Sequence, residues 1–130
     1  MRHVYIVDDD PNVRDSLQLL LSTDAETQIA GYASGDAFLR QAPQLRPGVV
    51  LLDYCMPGLN GLDVIDLLQR TELRFATVMV TAHEDVTVAV RALQAGACDF
   101  LEKPYTVETL QMVLRMAFAE LERNPAEAVG

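Results

Sequence analysis

The sequence has no tryptophan, two cysteines, and ten Lys and Arg against nineteen Asp and Glu. Each shortage excludes something. A net charge of −9 with no cluster of cations excludes a segment that grips a nucleic-acid backbone by itself, because such binding rests on many cation–phosphate contacts. Cys55 and Cys98 are isolated and lack a C-x-x-C spacing, which leaves neither a disulfide framework nor a zinc site. No apolar run approaches the ~18 residues of a membrane span. Asp8, Asp9 and Asp10 interrupt the only early apolar stretch with the place of a secretory leader, so the expected compartment is the cytoplasm, without membrane contact. What is present, 130 residues of which 50% are apolar, suits one domain with a substantial core.

The chain alternates short β-branched runs with helical patterns, five times over, which is the mark of a parallel α/β sheet. Strands are predicted at Val4–Val7, Thr27–Tyr32, Val49–Leu52, Thr77–Thr81 and Asp99–Glu102. Asp10 caps a first helix that opens at Pro11 and ends near Thr23, with Val13, Leu17, Leu20 and Leu21 inward. Ser34 caps a short second helix through Phe38, and a third begins near Gly61 with Leu62, Ile65 and Leu68 inside. In the fourth, the spacing of Val86, Ala89, Val90 and Leu93 places them inward and leaves Val88, Arg91 and Ala92 to solvent, with Gly96 as a left-handed cap. Thr106 opens the last helix, whose Leu110, Val113, Leu114, Ala117 and Leu121 face inward. Met112 and Met116 read as packing residues. The domain spans 1–123, and Asn124–Gly130 reads as a tail or the start of a linker.

The chemistry sits at strand ends. Val49–Leu52 is uninterruptedly apolar, as in a central strand covered on both faces, and it stops at Asp53 before the Pro57-Gly58 turn. Open α/β sheets place ligands at that end of their strands. The first strand also ends in acids, Asp8-Asp9-Asp10, and the fifth in a lone lysine, Lys103, followed by Pro104. Taken singly these have plain explanations: a solvated acidic turn, a surface cation, and in Thr81 a strand-end threonine. Asp10 fits a helix cap well. Asp8 and Asp9 fit it less well, since crowded carboxylates repel one another until a cation relieves them. Magnesium, which takes one or two carboxylates, several waters and a phosphate oxygen, matches Asp8, Asp9 and Asp53 together. Lys103-Pro104 is a candidate cis peptide that aims the ammonium at the acids. Magnesium and ammonium would then flank a phosphoryl group on Asp53, with the Thr81 hydroxyl as a further donor.

With these residues assembled, Met1–Arg123 resembles the receiver domain of bacterial two-component response regulators. The resemblance is carried by the acidic pair after strand one, Asp53 followed by Met56-Pro57-Gly58-x-x-Gly61, Thr81-Ala82 after strand four, and Lys103-Pro104 after strand five. It implies a flavodoxin-like (CheY-like) doubly wound sheet of five parallel strands in the order 2-1-3-4-5, with helices on both faces. By the same resemblance Asp53 is the phosphoacceptor, and Asp8, Asp9, Asp53 and the Cys55 carbonyl hold Mg2+. Lys103 and Thr81 contact the phosphoryl group, Thr81 and Phe100 form the switch, and Cys55 and His83 occupy positions that set phosphoryl lifetime.

The implied partner is a sensor histidine kinase, and the implied assembly is a homodimer formed on phosphorylation through helix four, strand five and helix five. The implied module is a phosphoacceptor that assists its own phosphorylation and dephosphorylation rather than an enzyme with a free substrate. Val80–Tyr105 is similar to FixJ-type transcriptional regulators, whose receivers precede a helix-turn-helix domain, so DNA would be reached only through an output domain beyond Gly130. The alternative is a stand-alone receiver signalling by protein contact. A magnesium phosphohydrolase would use Asp8-x-Asp10, but Pro11 follows directly and Asp53 would have no role. A flavin carrier needs a Ser/Thr/Gly-rich phosphate loop where this chain has three acids.

Overall fold

In the computed structural model, which describes residues 1–82 and 85–123, five parallel strands form one sheet in the order β2-β1-β3-β4-β5. The strands are β1 (Arg2–Val7), β2 (Thr27–Tyr32), β3 (Gly48–Asp53), β4 (Phe75–Ala82) and β5 (Asp99–Lys103). The helices are α1 (Pro11–Leu21), α2 (Gly35–Gln41), α3 (Gly61–Gln69), α4 (Val86–Ala95) and α5 (Val107–Arg123), with one 3-10 turn at Ala42–Gln44. Each predicted element is present, and the strand order is the one the resemblance implied. The Asn124–Gly130 tail and His83 lie outside the described residues. Among the described residues no helix is long and apolar enough to cross a membrane.

β3 is the spine, buried along all six of its residues, because both faces of the sheet are covered. Side chains alternate across a strand, so its residues divide between two cores. Val49 and Leu51 join Val4, Val78 and Leu101 under α1 and α5, where Leu17, Leu110 and Phe118 close the layer. Val50 and Leu52 join Tyr5, Val7 and Met79 on the other face, closed by Phe38, Ile65 and Ala92. The helix starts are set by side-chain caps. Asp10 accepts from the Asn12 amide at 2.9 Å, Ser34 from that of Ala37 at 3.1 Å, and Asn60 and Asp63 form a reciprocal capping box.

α4 differs from the sequence expectation. Val88, Ala89 and Ala92 are its buried residues, whereas Val86, Val90 and Leu93 are 62%, 47% and 42% exposed. The helix is apolar nearly all round, so two overlapping stripes fit the 3.6-residue period equally well, and its exit decides between them. The Ala97 amide donates to the Ala92 carbonyl at 2.9 Å and Ala97 itself is buried, which turns the Ala92 face to the sheet. Gly96 makes that turn at φ +120°, in the left-handed region that favours glycine. Met112 and Met116 are also exposed rather than packed, and so is Leu20, while Phe118 and Val64 take buried places that the sequence reading left unassigned.

Two glycines explain the Pro57-Gly58-x-x-Gly61 spacing. Gly58 adopts φ +76°. Gly61, at the first turn of α3, packs so closely that an added Cβ would overlap the Met79 side chain and lie 3.0 Å from the Asp53 carbonyl oxygen. Gly61→Ala is expected to cost ~1–3 kcal/mol of stability through overpacking, read as a lower urea midpoint with an unchanged slope. An unaltered midpoint would refute the close approach.

Candidate functional site

β1 and β3 are neighbours in the sheet, with Val7 opposite Leu52, so the residues that follow them emerge side by side. The strand order reverses at this point, which opens a crevice beyond the carboxyl ends. Asp8 follows β1, and Asp53 is the last residue of β3. With Asp9 they place carboxylate oxygens within 4.8 Å of one another. Asp8 and Asp53 are buried and Asp9 is exposed, so the cluster has a closed floor and one open side. Thr81 and Lys103 come from the ends of β4 and β5. All five residues line one cavity, together with Cys55.

The Lys103 ammonium donates to Asp53 Oδ1 at 3.1 Å. The Lys103–Pro104 peptide is cis, as the sequence suggested. Asp53 is nonetheless raised above the ordinary carboxylate range, first by burial and then by the charge of Asp8, with Lys103 relieving only part of this. Asp8 is raised as well, chiefly by burial, although the Asp10 amide bonds its Oδ1 at 2.9 Å. For Lys103, burial works against the ammonium, but the hydrogen bond it donates to Asp53 and the charges of Asp53 and Asp8 outweigh it and leave the pKa raised. Lys103 is thus shared between the two buried acids. A hard divalent ion at the open side fits the donor set of oxygen ligands.

The Thr81 hydroxyl is buried and has no hydrogen-bond partner among the described residues. A buried unpaired hydroxyl is costly, and this one lines the acidic cavity. Phe100 stands apart from the cavity, half-buried against the core under α2 and α3. The loop after β3 is tied by the Tyr54 amide to the Val80 carbonyl at 3.0 Å and by the Gly61 amide to the Tyr54 carbonyl at 3.0 Å, so the segment carrying Cys55 is anchored at both ends. Both cysteines are free. Burial pushes the Cys98 thiol up to about 11, which leaves it unreactive.

Two residues at the site escaped the sequence reading. Asp85, just before α4, also lines the cavity. Arg14, in α1, donates from Nη1 to the Asp8 carbonyl at 2.7 Å. A cation in the first helix after an acidic run was the available signal, but the bond joins a side chain to a backbone oxygen and leaves no pattern in the sequence.

Residues 4–115 match the family described as the response regulator receiver domain. Among curated relatives, the transcriptional regulatory protein FixJ of Bradyrhizobium diazoefficiens is 37% identical over 120 residues, covering 92% of this chain and 58% of FixJ. The tetrathionate response regulatory protein TtrR of Salmonella typhimurium is 38% identical over 117 residues, covering 90% of this chain and 56% of TtrR. The chain therefore spans a little over half the length of these relatives. Among solved structures, full-length FixJ from B. japonicum superposes with a TM-score of 0.87 at 36% identity, covering 93% of this chain and 59% of that one. The FixJ-N structure gives 0.84 at 34% identity, covering 90% and 93%.

The raised acids set a pH dependence. Their charged forms cost stability above the folded-state pKa, and protonation removes that cost as pH falls toward the ordinary carboxylate range. In metal-free buffer Asp8→Asn should raise the thermal midpoint at pH 7, and the gain should shrink as pH falls toward the ordinary carboxylate range. A lower midpoint at pH 7 would contradict the repulsion account.

Proposed function

Because this chain belongs to the response regulator receiver family, we propose that it accepts a phosphoryl group on Asp53 from a phosphohistidine of a sensor kinase and thereby switches an output. The observation that carries this reading is the buried Asp53 carboxylate at the end of β3, 3.1 Å from the Lys103 ammonium and within 4.8 Å of two further acids. An Asp53 oxygen attacks phosphorus, the bond from phosphorus to the imidazole nitrogen breaks, and its electron pair stays on the imidazole. The chain positions the acceptor and neutralises charge, which is most of what phosphoryl transfer requires. Asp8, Asp9, Asp53 and the Cys55 carbonyl are the groups that would hold Mg2+, which supplies charge neutralisation to the phosphoryl oxygens. Lys103 takes a phosphoryl oxygen in place of its bond to Asp53, and the unpartnered Thr81 hydroxyl donates to another. Movement of Thr81 draws the loop before α4 and lets Phe100 turn inward. Cys55 and His83 would set how long the phosphoryl group lasts.

The kinship with FixJ, a transcriptional regulatory protein, supports an output on transcription through a helix-turn-helix domain beyond this segment, in the cytoplasm. A stand-alone receiver acting by protein contact is the second reading. A small phosphodonor such as acetyl phosphate with Mg2+ should add one phosphoryl group, read by intact mass. Asp53→Asn and chelation of Mg2+ should each abolish it, whereas Asp10→Asn, which alters a helix cap, should leave the metal requirement unchanged. Labelling that persists in Asp53→Asn would overturn the assignment.

The output surface we infer is the face of α4, β5 and α5. Val86, Val90 and Leu93 on α4 and Met112 and Met116 on α5 are large apolar side chains left in solvent, the kind of surface that a second copy can cover. The expected effect of phosphorylation is dimerisation of two copies through this face, with coupling of ~1–3 kcal/mol, or roughly 5- to 150-fold in the dimer dissociation constant. Sedimentation should show the shift for the parent and lose it in Val90→Glu, with phosphorylation intact. Val88→Glu is unsuitable, because Val88 is buried and a charge there would disrupt the core. A phosphorylation-independent profile would refute this surface.

A further inference from the structure

Asp8 is fixed at three polar atoms. Its amide donates to the Tyr32 carbonyl at 3.1 Å, its Oδ1 accepts from the Asp10 amide at 2.9 Å, and its carbonyl accepts from Arg14 Nη1 at 2.7 Å. The third bond replaces one the sheet cannot make. β2 ends at Tyr32 and the chain turns into α2 at Ser34, so the ladder on that side of β1 stops just where Asp8 presents its carbonyl. Arg14, one turn into α1, leans back toward the helix N-terminus as helical side chains do, and its guanidinium fills the place of the missing strand amide. Its stem runs over Gly31, where an added Cβ would lie 3.3 Å from Arg14 Cδ.

We propose that Arg14 is a positioning residue for the metal site: by clamping the Asp8 main chain it aims the carboxylate that joins Asp9 and Asp53 around the cation. This rests on the reading of those three acids as the Mg2+ site. The two effects of an arginine here have opposite signs. As a charge near the cluster it repels a cation, so its removal would tighten Mg2+ binding. As a clamp it preorganises a ligand, and its removal loosens binding. The short, charge-assisted bond to a backbone carbonyl favours the clamp, because charge repulsion at a partly exposed site is screened by salt and a fixed geometry is not. Groups that orient a metal ligand are typically worth ~10- to 100-fold in affinity.

The test is Mg2+ titration of the unphosphorylated protein by calorimetry, with unfolding midpoints measured alongside in chelator. Arg14→Met should weaken Mg2+ binding by roughly 10-fold despite making the protein more negative. Arg115→Met, the same charge change at an exposed site on α5, should leave binding unchanged, and Arg14→Lys should recover part of the loss. Gly31→Val keeps Arg14 but forces its stem aside, so it should weaken binding in the same direction and carries the test if Arg14→Met does not fold. Asp9→Asn should lose binding altogether. If Asp9→Asn loses Mg2+ while Arg14→Met or Gly31→Val binds it as tightly as the parent, the metal site stands and the positioning role is refuted. If Asp9→Asn binds like the parent, the metal reading fails and the role of Arg14 fails with it. An arginine with only a structural role would lower the midpoint in chelator and leave the affinity alone.

Discussion

Three carboxylates held within 4.8 Å of one another, two of them buried, repel, and much of the structure exists to hold them in that position. The repulsion is not removed by the protein's own cation, since Asp8 and Asp53 stay raised although Lys103 touches Asp53. It creates a demand for positive charge at the open side. The sheet enforces the arrangement. β1 and β3 run parallel and adjacent with their helices leaving to opposite faces, so no helix start covers the acids. β3, buried along its length, cannot retreat to relieve the strain without opening both cores.

The same geometry links the site to a distant face. Thr81 lies one residue before the end of β4, and the chain then enters α4, whose seat on the sheet is made of Val88, Ala89 and Ala92. Short side chains interlock less deeply than the Leu and Phe that seat α5, so α4 is held with less side-chain interdigitation than α5. Its larger aliphatics point outward. An element seated shallowly and sticky on its far side is suited to moving and to meeting a partner in one event.

The sheet was legible because buried parallel strands leave uninterrupted apolar runs, and the site because its acids, threonine and lysine fall directly at the ends of those runs. Strand order came from resemblance rather than from periodicity. What misled was amphipathicity where it is weak: α4 is apolar on two overlapping stripes, and the exit through Gly96 and Ala97, not the repeat, selects the buried one. Met112 and Met116 look like packing residues by type, but they stand on the side of α5 away from Leu110, Val113 and Leu114. Arg14 escaped for a different reason. Its partner is a backbone oxygen six positions earlier, across a turn, and backbone acceptors have no letter in a sequence.

Of the ten basic side chains in the chain, nine are arginines, and Lys103 is the only lysine. Guanidinium groups stay protonated and resist acylation under ordinary conditions, whereas an amine can lose its proton, be acylated or be carbamoylated. Every side-chain amine this segment offers to such chemistry is therefore the one that faces Asp53, and it is 38% exposed, within reach of small reagents. Lysine chemistry on this domain has no silent side-chain position: any such mark neutralises the cation that steadies the acids.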